Sequence, residues 1–190
     1  MSPLLNLLTL PPFTNHAHPS VRGPMRRRIG LALLIAHCAV SVAVASDRFR
    51  ATVEHVADGD SMTVRAEDGR RSKIRIAAID APEKGQPHAD QAREALRRLV
   101  NEQTLEIEAI KADPYGRQVA RIWLDGTDLG LLMVSRGQAW HFTRYESDQT
   151  PRERHAYRAA QSQARQRRLG LWQFNDPVAP WDYRAAERRR

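Results

Sequence analysis

Five short stretches in which apolar and polar residues alternate, each followed by a glycine- or proline-containing turn, constrain most what this 190-residue chain can fold into. Alternation with a period of two is typical of β-strands that bury one face, and Asp-Gly pairs between such stretches indicate hairpins. The predicted strands are Phe49–Val56, Ser61–Arg65, Lys73–Ile79, Thr104–Lys111 and Gln118–Leu124. The chain is therefore expected to be mainly β.

A helical periodicity appears between the third and fourth predicted strands. One apolar stripe predicts a helix from about His88 to Asn101, and its members are Ala92, Leu96, Leu99 and Val100. Two more helices are predicted at Leu129–Arg136 and Pro151–Arg168. The predicted fold class is α+β, mainly β: a five-stranded OB-fold Greek-key barrel with three helices. It would occupy residues 47–175, and residues 176–190 would form a C-terminal tail that wraps the surface or frays.

Residues 1–46 differ in composition from the remainder, since they contain no acidic residue. Met25–Arg28 precedes an apolar run that closes with Ala43-Val44-Ala45. A basic start, an apolar centre and an A-x-A end are the marks of a secretory signal peptide. We therefore expect residues 25–46 to be a signal peptide, and residues 1–24 to be an untranslated or disordered extension.

A membrane anchor is the alternative for this segment. The apolar run Ile29–Ala45 is shorter than the ~20 residues that cross a bilayer, and His37 interrupts it. Export to the periplasm or the medium is therefore expected. Cys38, the only cysteine, lies in the same run, so the exported chain would have neither a disulfide nor a thiolate metal site.

The formal net charge of +8 favours a polyanionic partner, because cationic surface speeds encounter with nucleic acid. Removal of residues 1–46 would take away four arginines and no acidic residue, which reduces the net charge to +4. Many of the remaining arginines lie on predicted helices, where charge usually only keeps the surface solvated. Net charge alone therefore discriminates little between function classes.

Three short motifs lie at the ends of the predicted strands. Asp58-Gly59-Asp60 follows the first strand, Arg75–Glu83 leaves the third, and Pro114–Arg117 precedes the fifth. Together these motifs supply three candidate carboxylates and two guanidiniums. That inventory suits phosphodiester cleavage around a hard divalent cation.

Each of these side chains has a chemical role available to it. Asp60 and Asp80 offer the oxygen ligands that Ca²⁺ takes. Glu83 remains free to accept a proton from water, and Arg75 and Arg117 can each fork onto phosphate oxygens. Simpler roles stay open, since Arg75 also suits a core ion pair and Glu83 a helix cap.

These motifs, in this order, resemble the staphylococcal nuclease (thermonuclease) family over about Ala51–Trp172. The resemblance implies an OB barrel and Ca²⁺-dependent endonucleolytic cleavage of DNA and RNA. The residues that would carry the chemistry are Asp60, Asp80 and the backbone carbonyl of Ala81 as Ca²⁺ ligands, Glu83 as general base, and Arg75 and Arg117 as catalytic phosphate clamps.

The chain departs from the family's prototype at three points. Ala81 stands where the prototype has threonine, but a carbonyl ligand does not depend on the side chain. The loop after Glu83 is shorter. Tyr145 aligns with one nucleotide-stacking tyrosine, whereas Thr143 stands in place of the other. Tyr115 and Tyr145 are the residues expected to bind substrate, and Tyr115-Gly116 also suits a turn that only aims Arg117.

The sequence therefore predicts an exported, monomeric, Ca²⁺-dependent and sugar-nonspecific endonuclease that acts on DNA and RNA, with single-stranded or frayed substrates favoured. The alternative is a non-catalytic OB module that binds nucleic acid or a protein. A third possibility is an adhesin that uses the barrel only as a scaffold. A degenerate module predicts losses among the five matched charged residues, and none is lost.

Overall fold

The computed structural model of the protein describes residues 47–190; the expected extension and signal peptide lie outside the described residues. The strands are β1 Asp47–Val56, β2 Ser61–Ala66, β3 Arg71–Ile76, β4 Ile79–Asp80, β5 Thr104–Ala112, β6 Gln118–Leu124, β7 Thr127–Asp128 and β8 Trp140–His141. The helices are α1 Ala89–Val100, α2 Leu129–Ser135, α3 Pro151–Gln166 and α4 Pro180–Glu187, with 3₁₀ turns at Thr143–Asp148 and Gly170–Gln173. Within residues 47–190, no helix has both the length and the apolar character needed to cross a membrane.

Five strands close into a barrel. β1 pairs antiparallel with β2 and with β5, β2 with β3, and β5 with β6, while the parallel pairing of β3 with β6 completes the circle. Register shifts between Val53 and His55, and between Ala109 and Lys111, mark bulges that bend β1 and β5 around the barrel. The predicted OB-type, mainly β fold class is confirmed.

The barrel interior is filled by the apolar residues that alternate along the strands. Fully buried examples are Val64, Ile74, Leu105, Ile107 and Ile122. The predicted stripe of α1 packs on this core through Leu96 and Val100 and in part through Leu99, while Ala92 is buried, and α2 adds Met133. The helix and strand positions expected from periodicity therefore form one continuous core.

The third predicted strand is interrupted. β3 ends at Ile76, and Ala78 adopts a left-handed conformation with φ of 65° before β4 begins at Ile79. The chain therefore leaves the barrel wall, and Asp80 pairs across a short second sheet with Trp140 of β8. This change of direction places Asp80 beside the first turn of the chain.

The C-terminal tail adds a fourth helix, α4, to the three predicted. Trp181 of α4 stacks on Phe142 with ring centroids 5.4 Å apart, and lies edge-on to Trp140 at 5.5 Å. Trp172 joins the group at 4.4 Å from Trp140. Trp140, Trp172 and Trp181 belong to a second apolar cluster, separate from the barrel core. This cluster holds α4 next to β8, so the C-terminal tail packs against the domain there.

Gly59 allows two segments to approach the first turn closely. A Cβ at this position would lie 2.7 Å from the Cβ of Ala81 and 2.8 Å from the Cβ of Ala92. The backbone N–H of Ile76 also donates to the carbonyl of Asp60 at 2.8 Å. The Asp58–Asp60 turn is thus held between α1 and the segment that follows β4.

Gly59→Ala is expected to lower the free energy of unfolding by about 1–3 kcal/mol, because the added methyl group overpacks a filled site. Urea denaturation measures the change. Gly69→Ala is the control, since a Cβ there meets nothing within 4 Å and only the φ of +85° opposes it. A smaller loss at Gly59 than at Gly69 would contradict the packing explanation.

Asp128 links α2 to α3. Its carboxylate accepts the backbone N–H of Leu131 at 3.0 Å and so caps α2. The hydroxyl of Tyr157 in α3 donates to both carboxylate oxygens, at 2.9 and 3.0 Å. Burial raises the pKa of Asp128 above its ordinary value, although these hydrogen bonds act in the opposite direction.

Asp128→Asn is expected to become more stable relative to the parent as pH rises from about 4 to 7. The raised pKa means that the folded state favours the protonated carboxyl, so the parent loses stability as that proton leaves. Asparagine keeps an oxygen acceptor and does not titrate. Urea denaturation across this pH range gives the difference in unfolding free energy.

Asp68→Asn provides a control of opposite sign. Hydrogen bonds from Arg70 lower the pKa of this exposed carboxylate, so its contribution to stability is present above the ordinary pKa and is lost on acidification. The stability of Asp68→Asn relative to the parent should therefore fall as pH rises. Parallel slopes for the two variants would show that burial does not govern Asp128.

Candidate active site

A cleft of about 690 Å³ is bounded by the ends of β3 and β4, the β5–β6 turn, the Thr143–Asp148 turn and α4. Its charged lining includes Asp58, Asp60, Arg75, Glu83, Arg117 and Arg184. Asp80 lies beneath this surface and is only 1% exposed. The cleft therefore contains most of the charged residues that the motifs single out.

Arg75 bridges two buried carboxylates. Its Nη1 lies 2.5 Å from Oδ2 of Asp60, and its Nη2 donates to Oδ1 of Asp80 at 2.9 Å and to the carbonyl of Ile79 at 3.2 Å. Burial opposes the charged form of Arg75, but the two carboxylates outweigh it and raise the pKa of Arg75 above its ordinary value. The guanidinium is thus fixed in its charged form between them.

The turn that carries Asp60 is organised by Asp58. The Asp58 carboxylate accepts the backbone N–H of Asp60 at 2.9 Å and the hydroxyl of Ser61 at 2.7 Å. Burial, and then the charge of Asp60, raise the pKa of Asp58. Asp60 in turn accepts the backbone N–H of Ala81 at 2.9 Å, which ties the first turn to the end of β4.

Glu83 lies in the loop after β4 with its carboxylate partly exposed to the cleft. Its backbone N–H donates to the side-chain oxygen of Gln86 at 2.9 Å. Its carboxylate forms an ion pair with Arg184 of α4, which also donates to both oxygens of Asp80, at 3.2 and 2.8 Å. Sequence reasoning missed Arg184 entirely.

Little in the sequence marks Arg184 as a site residue. The Pro-Trp pair at the start of α4 could have indicated that a helix begins there, because proline favours the first helical position. The residue itself is one of several arginines near the chain's C-terminal end. Its partner Asp80 is 104 positions away in the sequence, which no local pattern relates to it.

Arg117 lines the cleft but rests on a different partner. Asp113 accepts from Nε of Arg117 at 2.7 Å and from the backbone N–H groups of Arg117 and Tyr115, each at 2.9 Å. Gly116, with φ of 76°, completes this turn. Within residues 47–190, the contacts of Arg117 do not include Asp60, Asp80 or Glu83.

The two candidate substrate-binding tyrosines lie at the rim of the cleft. Tyr115 is 81% exposed, with the Arg117 guanidinium 5.5 Å from its ring centroid. Tyr145 is half exposed, and Lys111 lies 4.6 Å from its ring centroid. Each ring therefore presents a face to solvent beside a cation.

The donor set fits an oxygen-preferring dication at Asp60 and Asp80. Both are carboxylates, both are buried, and a single guanidinium spans them, so the two groups lie close together. Burial raises the pKa of Asp80, which the hydrogen bonds from Arg184 oppose. Within residues 47–190, no cluster of three or more His, Cys, Asp or Glu side chains is arranged to hold a metal. A dication would therefore rely on these two side chains together with backbone carbonyl and water oxygens.

Comparison with known proteins adds an independent observation. The profile of the family described as "Staphylococcal nuclease homologue" matches residues 73–174. An "uncharacterized endonuclease" of Escherichia coli O157:H7 is 34% identical over 162 residues, which cover 84% of this chain and 98% of that protein. The "micrococcal nuclease" of Shigella flexneri is 32% identical over 158 residues, which cover 78% of this chain and 87% of that protein. A third relative, an "uncharacterized endonuclease" of Haemophilus influenzae, is 29% identical over 164 residues.

Arg75→Gln is expected to lower the free energy of unfolding by about 3–5 kcal/mol in EGTA, because it leaves two buried carboxylates without their shared cation. Arg71→Gln is the matched control on the same strand. Arg71 is exposed and pairs with Glu54, so its loss should cost about 1 kcal/mol or less. Equal losses in urea denaturation would show that Arg75 does not support the carboxylate pair.

Proposed function

Because the chain belongs to the staphylococcal nuclease family, we propose that it is an exported, calcium-dependent endonuclease that hydrolyses phosphodiester bonds of DNA and RNA. The observation that carries the proposal is the arrangement of Asp60, Asp80 and Glu83, which two guanidiniums join within one cleft. The three carboxylates outnumber these two guanidiniums, so the added positive charge of a dication would favour binding of a polyanion.

Calcium held by Asp60, Asp80 and the carbonyl of Ala81 would supply Lewis acidity and offset the negative charge of the cleft. Glu83 accepts the proton of the attacking water, since its carboxylate is open to the cleft. The proton moves from the water oxygen to a carboxylate oxygen, and the new P–O bond forms as the opposite P–O bond breaks. The departing alkoxide oxygen takes a proton from solvent and leaves as an alcohol.

The arginines stabilise the charge that gathers on the phosphoryl oxygens. A fixed guanidinium favours the transition state over the ground state when that charge increases. Asp113 engages Nε of Arg117, so the two terminal nitrogens are the ones that fork onto phosphate. Both terminal nitrogens of Arg75 contact protein oxygens, so Arg75 would bind phosphate from the floor of the cleft only through the N–H groups that Asp60, Asp80 and Ile79 leave free.

The exposed rings of Tyr115 and Tyr145 suit contact with bases of a single strand. Stacking on an aromatic ring tolerates any base and does not require a 2′-hydroxyl. A site that recognises phosphate and base faces therefore accepts DNA and RNA alike, and we expect a monomer to be sufficient. Export would follow from residues 25–46, and the N-terminal sequence of the protein recovered outside the cytoplasm tests it.

A non-catalytic OB module that binds nucleic acid is the alternative function. The guanidiniums paired with Asp60, Asp80 and Glu83 are the specific observation in its favour, because they offset two of the three carboxylate charges without a metal. Such a module would retain DNA in EGTA and release no product with Ca²⁺.

Hydrolysis of single-stranded DNA and RNA by the purified protein is expected to require Ca²⁺ and to stop in EGTA. Glu83→Gln should lower kcat by about 10²–10⁴-fold, and Arg117→Ala by about 10²–10³-fold. Glu83→Gln should keep Ca²⁺-dependent binding of the oligonucleotide, because the metal ligands are unchanged.

Glu67→Gln is a control for the loss of an exposed carboxylate outside the cleft, and it should retain full activity. Near-normal turnover in Glu83→Gln would overturn the assignment of the base. Binding of DNA without hydrolysis in the parent protein would establish the alternative module instead.

A further inference from the structure

The position of α4 beside the catalytic loop is built into the fold. Gln86 accepts the backbone N–H of Glu83 at 2.9 Å and donates to the carbonyl of Val178 at 2.7 Å. One side-chain amide thus joins the loop of Glu83 to the segment that leads into α4. With Trp181 packed on Phe142 and Trp140, the helix is anchored on two sides.

Arg184 lies one helical turn after Trp181, so the two side chains share a face of α4. Its terminal nitrogens contact both oxygens of Asp80 and one oxygen of Glu83. The side chain is 35% exposed, compared with 16% for Arg75, so it lies nearer the mouth of the cleft. From that position the guanidinium can turn from the carboxylates to a ligand in the cleft.

The charges of the ion-paired cluster give a reason for the position of Arg184. Asp60, Asp80 and Glu83 carry three negative charges, and Arg75 and Arg184 return two, which leaves one negative charge on this cluster. A bound dication would change this sum to one positive charge, which matches a phosphodiester anion. Without Arg184 the loaded cluster would be neutral and would attract the anion less.

The contact with Glu83 points the same way. Arg184 occupies one oxygen of the Glu83 carboxylate in an ion pair. Movement of Arg184 from Glu83 to phosphate oxygens would free that oxygen and at the same time add a fork onto the reacting group. A dication at Asp80 would further weaken the hold of that carboxylate on Arg184, because it draws on the same oxygens.

Resting on the proposed nuclease function, we propose that Arg184 is a third phosphate-binding guanidinium of this site. It pairs with Asp80 and Glu83 while the cleft holds no nucleic acid, and it binds the non-bridging oxygens of the phosphodiester when substrate enters. The C-terminal helix α4 therefore contributes a substrate-binding residue to the cleft.

The test compares Arg184→Gln and Arg184→Lys with Arg189→Gln in the full chain. Arg189 is exposed just beyond the C-cap of α4 and does not line the cleft, so its variant matches the loss of charge without altering the cleft. Hydrolysis of a short single-stranded oligonucleotide with Ca²⁺ is the first measurement. We expect kcat/KM to fall about 10²-fold in Arg184→Gln and less in Arg184→Lys, which keeps a point charge but not the fork. Arg189→Gln should remain near the parent.

Calcium affinity without nucleic acid, measured by calorimetry, separates phosphate binding from other roles. In Arg184→Gln it should be equal to or tighter than in the parent, because Asp80 loses a competing cation. Weaker calcium binding together with reduced hydrolysis would mean that Arg184 only positions Asp80. Faster hydrolysis in Arg184→Gln would mean that the arginine blocks the site. Either result, or activity equal to that of Arg189→Gln, overturns the proposal.

Binding of two uncleaved oligonucleotides gives a readout that does not depend on hydrolysis. With Ca²⁺, Arg184→Gln should bind a charged phosphorothioate strand about tenfold more weakly than the parent, and an uncharged methylphosphonate strand equally well. If the parent fails to hydrolyse DNA, the nuclease function fails, but this comparison still decides whether Arg184 binds phosphate. Equal affinity of both proteins for the charged strand would exclude that role.

Discussion

A single guanidinium joins the two buried carboxylates on which the cleft depends. Arg75 leaves a barrel strand and reaches Asp60 in the first turn and Asp80 after the break in the third strand. Two carboxylates this deeply buried would repel each other if no cation stood between them. The guanidinium of Arg75 therefore lets the fold hold two carboxylates close together in its interior, away from the solvent that would otherwise stabilise them.

Much of this arrangement could be predicted from the sequence, because its parts are local. Strand alternation and Asp-Gly turns mark the barrel, and the apolar stripe of α1 predicts a helix that the structure places at Ala89–Val100. The motif residues Asp60, Arg75, Asp80 and Glu83 converge as their order along a Greek-key barrel implies. Local strand, helix and turn patterns, together with the closed topology of the barrel, are sufficient to predict these features.

The features that escaped prediction depend on conformation or distance. Ala78 adopts a left-handed φ that alanine rarely takes, and the apolar run of the sequence continues through it. The sequence pattern therefore does not indicate that β3 ends at Ile76. Arg184 acts across more than a hundred residues of sequence, where periodicity carries no information. Arg117 is an intermediate case, since its partner Asp113 lies in the same turn and follows from local turn chemistry.

The aromatic cluster under α4 has an optical consequence. Three of the four tryptophans, Trp140, Trp172 and Trp181, lie within this one group, and Trp123 packs elsewhere beneath Arg48. The Arg165 guanidinium lies 4.2 Å from the ring centroid of Trp172, so a fixed cation adds to the local field. Indole emission from this protein is therefore expected to report mainly on the packing of its C-terminal helix, with Trp123 as the one tryptophan on a barrel strand.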